Sequence, residues 1–295
     1  AYSEMASLEL EHQLGKNWFF SAGYQFIHAL KLPVYDSVNG FPTANLQCPF
    51  KPLPDPTPAG KQHFCQADAN FGFTLYVHPV GFSIYHAGTA SLRKTFANHY
   101  SILANYTYSK SIDISTTVNL PAVPENYLRH DLDRAIGDND IRHRLTLAVL
   151  GESPKEWPAV LRHFKASMLM NAQSARYFSI NAGFDTNGDL FPFSDRVGTI
   201  GRNTYKGDPY FNLDMRIQRG IPFTERVRGD FSVELFNLFN VVNVQDVSHV
   251  YGAPDFVFGS IPQEFGDGIT TPAGFGTPKF AAPARQIQLS FRLNF

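Results

Sequence analysis

The amino-acid sequence predicts an all-β fold, an antiparallel up-and-down transmembrane β-barrel, from three observations. Apolar and polar residues alternate along about nine segments, as in strands whose two faces meet different surroundings. Short turns and long loops connect these segments in strict succession. The chain of 295 residues also contains 27 Phe and 13 Tyr, and aromatic side chains favour pleated strands over helices.

The first eight segments form four pairs, because only a short stretch with turn chemistry separates the two members of each pair. The turns are "GKN" at 15–17, "ANH" at 97–99, "GESPKEWPAVLR" at 151–162 and "GIPFTER" at 220–226. Four long loops separate the pairs from one another and from the last segment, and the first loop, which ends near Phe82, holds a short strand near "FGFTLYV". The segments are residues 7–14, 18–30, 82–96, 100–112, 142–150, 163–173, 210–218, 228–239 and 285–295.

Each segment divides its side chains between two faces, since successive side chains of a strand point in opposite directions. One face is apolar and the other is mostly polar. The clearest apolar rows are Leu8, Leu10 and Leu14; Phe20, Ala22, Tyr24 and Phe26; Tyr100, Ile102, Ala104, Tyr106 and Tyr108; Leu145, Leu147 and Val149; Phe164, Ala166, Met168 and Met170; Phe211, Leu213, Met215 and Ile217; Phe231, Val233 and Leu235.

Barrels of the bacterial outer membrane combine short periplasmic turns with long extracellular loops, and their strands are apolar outside and polar inside. We therefore expect the apolar rows to face lipid and the polar rows to face the lumen. A soluble β-sandwich that buries the apolar rows is the alternative, but nothing in such a fold requires all the long loops to lie at one end. The charged residues expected to face the lumen are Asp214, Arg216, Asp230, Glu234 and Arg292.

The last segment ends on an aromatic residue after an unbroken alternation. Its polar side chains lie on one face and its apolar side chains on the other, and the last residue of the chain belongs to the apolar row. We expect this strand to act as the C-terminal insertion signal for the barrel assembly machinery. The signal residues are Ile287, Leu289, Phe291, Leu293 and Phe295.

The charge balance and the motifs exclude several classes of function. The net charge is −1, from 25 basic and 26 acidic residues, so the basic surface of a nucleic-acid-binding protein is missing. The sequence contains no GxSxG, P-loop or HExxH motif, and we expect no enzymatic activity. It also lacks any run of about 18 apolar residues that could form a transmembrane helix.

The two cysteines, Cys48 and Cys65, flank a Pro-rich stretch of the first long loop. Two cysteines so placed predict a disulfide and therefore an oxidising compartment. A metal site made of both thiols and His63 is the alternative, but it is one ligand short of the usual four.

The stretch "DTNGD" in the third long loop places oxygen ligands at Asp185, Asn187 and Asp189, which resembles the start of a calcium-binding loop. Asp195 would complete the set. The glycine stands at the fourth place and no glutamate follows at the EF-hand distance, so an Asx-turn in a solvated loop is the alternative. Apart from this possible Ca²⁺, we expect no cofactor.

The second long loop carries a dense run of charges in "RHDLDRAIGDNDIRHR", residues 129–144. Acid/base catalysis would need a sheltered carboxylate pair and a positioned nucleophile, and the spacing indicates neither. We therefore expect a salt-bridged loop base at the barrel rim.

Five segments follow one another between Tyr85 and Phe295: "YHAGTASLRKTFANHYSILANYTYSKSID", "DIRHRLTLAVL", "GRNTYKGDPYFNLDMRI", "VELFNLFNVVN" and "RQIQLSFRLNF". In this order they resemble the Oar-like branch of TonB-dependent outer-membrane receptors. The resemblance implies a plugged barrel of about 22 strands that is energised by a TonB-type complex. Residues 1–295 would then belong to a single barrel domain, its C-terminal portion, without the plug domain and the N-terminal strands.

Three functions follow from these patterns. The first is TonB-dependent uptake of a large or scarce solute across the bacterial outer membrane, with the lipid bilayer and the TonB-type complex as partners. The second is an outer-membrane barrel for adhesion or secretion without active uptake. The third is a soluble β-sandwich that binds carbohydrate.

Overall fold

The computed structural model describes residues 1–43, 63–71, 74–114, 123–183, 185–189, 194–224, 227–251 and 275–295. Nine antiparallel strands of these residues follow one another in one sheet. These wall strands are β1 (Tyr2–Leu14), β2 (Trp18–Ser37), β5 (Leu75–Ala97), β6 (Tyr100–Asp113), β8 (His143–Glu152), β9 (Phe164–Gln173), β12 (Tyr210–Pro222), β13 (Arg228–Phe236) and β16 (Gln286–Asn294).

Seven short strands and a single turn of 3₁₀ helix lie in the described parts of the long loops. One of these strands, β7, joins the main sheet through β6, and the others form three two-stranded ladders. The short elements are β3 (Gly40–Thr43), β4 (His63–Gln66), the 3₁₀ helix (His130–Asp133), β7 (Ala135–Ile136), β10 (Tyr177–Phe178), β11 (Tyr205–Lys206), β14 (Val244–Val247) and β15 (Pro278–Ala281). The described residues include no helix long and apolar enough to cross a membrane.

The predicted order of strands and connections is confirmed. Each wall strand pairs with the next one along the chain, and short turns alternate with long loops. The β5–β6 turn shows how local chemistry sets the register: Asn98 and His99 both have positive φ, at 53° and 71°, between the paired residues Ala97 and Tyr100. Positive φ at both central residues gives the turn a twist that matches the flanking strands.

The long hairpin of β2 and β5 corrects the prediction for the first loop. β2 has 20 residues and β5 has 23, so the segment "FGFTLYV" leads into β5 and is no separate short strand. The alternation was obscured because the pairing shifts register between Leu30 and Val34, where Lys31 has a φ of 55°. A transmembrane β-strand needs only about 9–11 residues, so this hairpin extends beyond the bilayer.

The strand register segregates the two kinds of side chain as predicted, because directly paired residues lie on the same face of a sheet. Arg216 pairs with Glu234 and Asp230 pairs with Arg292 on the polar face. Asp214 shares that face by alternation along β12. The C-terminal row lies on the opposite face, where Leu289 pairs with Val233 and Phe291 with Phe231.

The polar face of the sheet borders a cavity. A continuous row of direct partners crosses five strands on that face, through Ser101, Leu150, Ser167, Arg216 and Glu234. All five residues line one cavity of about 650 Å³, which we call the wall cavity. The opposite, apolar face exposes large side chains, with Leu289 64% exposed.

We expect Leu289→Arg to lower the free energy of unfolding by about 2–4 kcal/mol, because an arginine on the lipid face near the middle of a bilayer loses its hydration. Gln288→Arg is the matched control, since Gln288 is the adjacent residue on the polar face. Denaturant unfolding of both variants in lipid vesicles measures the difference. Equal effects of the two substitutions would contradict the assignment of the faces.

Candidate functional site at the loop end

A cavity of about 1050 Å³ lies where the long loops meet the wall, and we call it the loop cavity. The wall strands β2, β9 and β12 reach it through Tyr35, Gln173 and Tyr210, which lie at the long-loop ends of these strands. Loop residues form the rest of the lining, including Arg176 and His249. The cavity therefore combines aromatic rings with hydrogen-bonding and charged groups.

The loops around this cavity have an apolar centre of their own. Ala182, Val197 and Tyr251 are buried together, and Ile180 and Phe275 are among the residues that pack against them. Backbone hydrogen bonds fasten this centre: the Ala182 N–H donates to the Asp195 carbonyl, and the Tyr251 N–H donates to the Asn181 carbonyl, at 2.9 and 2.8 Å. The described loop segments thus form a packed layer beside the cavity.

Arg196 is a buried cation that joins two loops. Its guanidinium forms ion pairs with Glu125 and with Asp133, and its Nε donates to the Ile200 carbonyl at 3.1 Å. Only 3% of Arg196 is exposed, and Asp133 is also buried. Buried charges of this kind depend on one another, because removal of one leaves the other without water or a counter-ion.

Arg202 makes a second connection between the same loops. It pairs with Asp113 at the end of β6 and with Asp138 at 3.3 Å, and its Nε donates to the Asp133 carbonyl at 3.0 Å. Asn203 supports this contact, since its Nδ2 donates to the Ile136 carbonyl at 2.6 Å. The two arginines therefore hold residues 194–207 against residues 123–140 on one side of the loop cavity.

The expected salt-bridged loop base is confirmed, although its principal partners were not predicted. Within the charged run, Arg129 pairs with Asp131 at 2.7 Å and Arg142 with Asp140 at 3.3 Å. Asp133 and Asp138 instead pair with arginines that follow more than 60 residues later. No sequence pattern marks those partners.

The predicted calcium-loop residues lie in a tight turn beside this base. Asp185 Oδ1 accepts from the backbone N–H groups of Asn187 and Gly188 at 3.3 and 2.6 Å, and Asn187 Oδ1 accepts from the Asp189 N–H at 2.9 Å. The turn therefore has the hydrogen bonds of an Asx-turn, but it is not solvated as that alternative assumed, because Asn187 and Asp189 are buried. Asn187 is engaged within the protein, because its Nδ2 donates to the Glu125 carbonyl at 2.7 Å.

Three carboxylates gather at the same turn, from Asp185, Asp189 and Asp195, and we call them the Asp195 cluster. One oxygen of each lies within 4.8 Å of the others. Asp195 is fully buried and accepts from the backbone N–H and the hydroxyl of Thr186, both at 2.9 Å. These hydrogen bonds account for the conformation of the turn without an ion, and Ca²⁺ binding stays a prediction.

A further cluster of titratable side chains lies at the extended end of the β2–β5 hairpin. Asp36 Oδ2 is 2.9 Å from His78 Nδ1, and Asp36 Oδ1 is 2.8 Å from His130 Nε2. We call these three residues the Asp36 cluster. The hydrogen bond to Asp36 raises the pKa of His130 above its ordinary value, against the opposing effect of burial. This contact therefore stabilises the loop in mildly acidic medium and weakens as the pH rises through the raised pKa.

Tyr127 lies between the two clusters and packs against Phe64, with ring centroids 4.3 Å apart. Its hydroxyl is buried and has no hydrogen-bond partner among the described residues. Burial, reinforced by the charges of Asp189 and Asp36, raises the pKa of this phenol, so it stays protonated at any physiological pH.

The predicted disulfide lies partly in this region. Cys65 belongs to β4, is buried and takes part in a disulfide bond. Cys48, its expected partner, lies outside the described residues. The side chain of His63, the third residue of the alternative metal site, is also outside them.

The architecture and the sequence agree with one family. The model of the outer membrane β-barrel domain matches residues 1–197 and 184–288. The chain belongs to this family. The outer membrane β-barrel domain is therefore the fold of the chain, and the bacterial outer membrane is its location.

Two solved structures resemble the chain at low identity. The outer membrane transporter YddB from Escherichia coli is 14% identical with a TM-score of 0.55, over 99% of this chain and 32% of that one. P. aeruginosa FpvA, solved with bound pyoverdines, is 12% identical with a TM-score of 0.48, over 99% of this chain and 27% of that one. The chain thus spans about a third of the length of YddB and about a quarter of the length of FpvA. No curated protein matches it significantly.

We expect Arg196→Met to cost about 3–5 kcal/mol in local stability, because it leaves buried Asp133 and half-buried Glu125 without their cation. Native-state hydrogen exchange of residues 123–140 measures this loss. Arg129→Met is the control, since the Arg129–Asp131 pair is exposed, and it should change exchange far less. Equal exchange in both variants would show that the buried pairs do not hold the loops together.

If the Asp195 cluster binds Ca²⁺, calcium should raise the melting temperature of the wild-type protein, and Asp185→Ala should abolish that rise. Only the calcium-dependent difference is compared, because Asp185 also caps the turn. Asp208→Ala, at an exposed loop carboxylate, should retain the full rise. The absence of any rise in the wild type would end the calcium hypothesis.

Proposed function

We propose that this chain forms the wall and the extracellular mouth of a transporter that takes up a solute through the outer membrane by TonB-dependent energy coupling. One observation carries the proposal: the polar face of β9 connects the two cavities. Ser167 and Leu169 line the wall cavity, and Asn171 and Gln173 line the loop cavity. These four residues alternate along one strand and therefore share one face.

The loop cavity supports the binding part of this function. Its volume of about 1050 Å³ slightly exceeds the usual range of small-molecule sites, about 300–1,000 Å³. Arg176 lines the cavity and is exposed, and no carboxylate of the described residues lies within ion-pair distance of its guanidinium. Exposed Asp208 and Asp246 contribute negative charge, and Tyr177 and Tyr210 contribute aromatic rings. A large polar solute with groups of both charges suits such a lining.

The energy-coupling part rests on the resemblance to TonB-dependent receptors of the Oar-like branch. An uptake system of this kind would account together for the polar face, the loop cavity and the outer-membrane location. It also assigns no chemical step to the protein, in accord with the expectation that it is not an enzyme. The TonB-type complex and the barrel assembly machinery are the partners that we propose.

We expect a strain without this gene and a strain without its TonB-type protein to share a growth defect on at least one limiting nutrient. The double mutant should grow no worse than the strain without the TonB-type protein, because this uptake route already fails in that strain. Growth on a panel of limiting nutrients measures this. A defect on loss of the gene that is independent of the TonB-type protein would favour the adhesion or secretion function.

In the same assay, Gln173→Trp should reduce uptake, because a bulky ring would obstruct the polar face between the two cavities. Ala172→Trp is the matched control, as Ala172 is the preceding residue on the lipid face of β9. Uptake is compared at equal amounts of protein in the outer membrane. Unchanged uptake in Gln173→Trp would contradict the proposed route.

A further inference from the structure

The Asp36 cluster joins three separate parts of the chain. Asp36 lies near the end of β2, His78 lies near the start of β5, and His130 begins the 3₁₀ helix of the second long loop. The two histidines are 42 and 94 residues away from Asp36 along the chain. Such a convergence of two imidazoles on one carboxylate is a property of the folded loops and of no local motif.

The geometry suits a divalent transition-metal ion. One ring nitrogen of His78, one ring nitrogen of His130 and one carboxylate oxygen of Asp36 all lie within 4.8 Å of one another. Zn²⁺ bonds to imidazole nitrogen and carboxylate oxygen at about 2.0–2.2 Å, so tetrahedral ligands stand about 3.3–3.6 Å apart. The Asp36–histidine distances of 2.8 and 2.9 Å are those of hydrogen bonds, and they would lengthen by about 0.5 Å around an ion.

The surroundings allow an ion to enter and hold its ligands in place. The side chain of His78 is 42% exposed, whereas those of Asp36 and His130 are 11% and 20% exposed. The two rings stand edge to face with centroids 5.8 Å apart, an arrangement that avoids stacking the rings on each other. Two paired strands fix the positions of Asp36 and His78, because Asp36 pairs with Tyr76 in the β2–β5 ladder.

We propose that Asp36, His78 and His130 bind a Zn²⁺-class ion that fastens the second long loop to the extended β2–β5 hairpin. Two nitrogen ligands and one oxygen ligand favour Zn²⁺, Co²⁺ or Ni²⁺ over Ca²⁺ and Mg²⁺, which prefer oxygen ligands. Three protein ligands leave at least one coordination position for water or for a group of a solute. The ion would take the place of the two hydrogen bonds that join Asp36 to the imidazoles.

Zinc binding to the full-length protein, purified in detergent and treated with a chelator, tests this proposal. Calorimetric titration with Zn²⁺ should show binding that His78→Ala and His130→Ala each diminish by one equivalent. Asp36→Asn should also weaken binding, because an amide oxygen is a poorer ligand for this ion than a carboxylate. Titration with Co²⁺ should produce a visible absorption spectrum that the same three variants lose.

His143→Ala is the matched control. His143 is a wall-strand histidine whose Nδ1 is 2.7 Å from the Tyr106 hydroxyl, and it belongs to no metal-ligand group among the described residues. This variant should bind as much zinc as the wild type, and Ca²⁺ should not compete. Identical zinc binding in the wild type and in His130→Ala would overturn the proposal. This test remains valid even if His78→Ala disturbs β5, because His130 lies in a loop outside that strand.

Discussion

The wall depends on one constraint, which is that every backbone polar group inside a bilayer needs a partner from the protein. Antiparallel pairing of consecutive strands meets this need along the whole path from β1 to β16. The same pairing fixes the register, and the register sends each apolar row to one side and each polar row to the other. In the described residues, β1 and β16 each pair with one neighbour and not with each other. In a membrane these two edges require partners.

The loop layer depends on a different kind of interaction. Beyond the bilayer, water competes for every hydrogen bond, and loops of this length stay mobile unless buried contacts hold them. Arg196 and Arg202 supply such contacts, since each guanidinium reaches two carboxylates from other segments and a backbone carbonyl. Charge pairing therefore shapes the loop cavity, while apolar alternation shapes the wall.

The wall could be predicted from the sequence because its signal is local. Alternation is visible within a few residues, and the predicted row from Ile287 to Leu293 lies on one face of β16. The loop contacts could not be predicted, since Arg196 finds Asp133 across 63 residues and His130 finds Asp36 across 94. The length of β2 was not predicted for a different reason. The irregular pairing between Leu30 and Val34 interrupts the alternation on which the prediction relied.

That irregularity also explains how one hairpin can serve two environments. Before it, β2 and β5 obey the alternation of a membrane wall, with Phe20 and Tyr24 on the apolar face. After it, the same strands carry Asp36 and His78, which face a loop and not lipid. A shift of register turns the side chains that follow it onto the other face without breaking the ladder. The hairpin can therefore carry polar ligands above the membrane on a rigid extension of the wall, which places the Asp36 cluster more precisely than a free loop would.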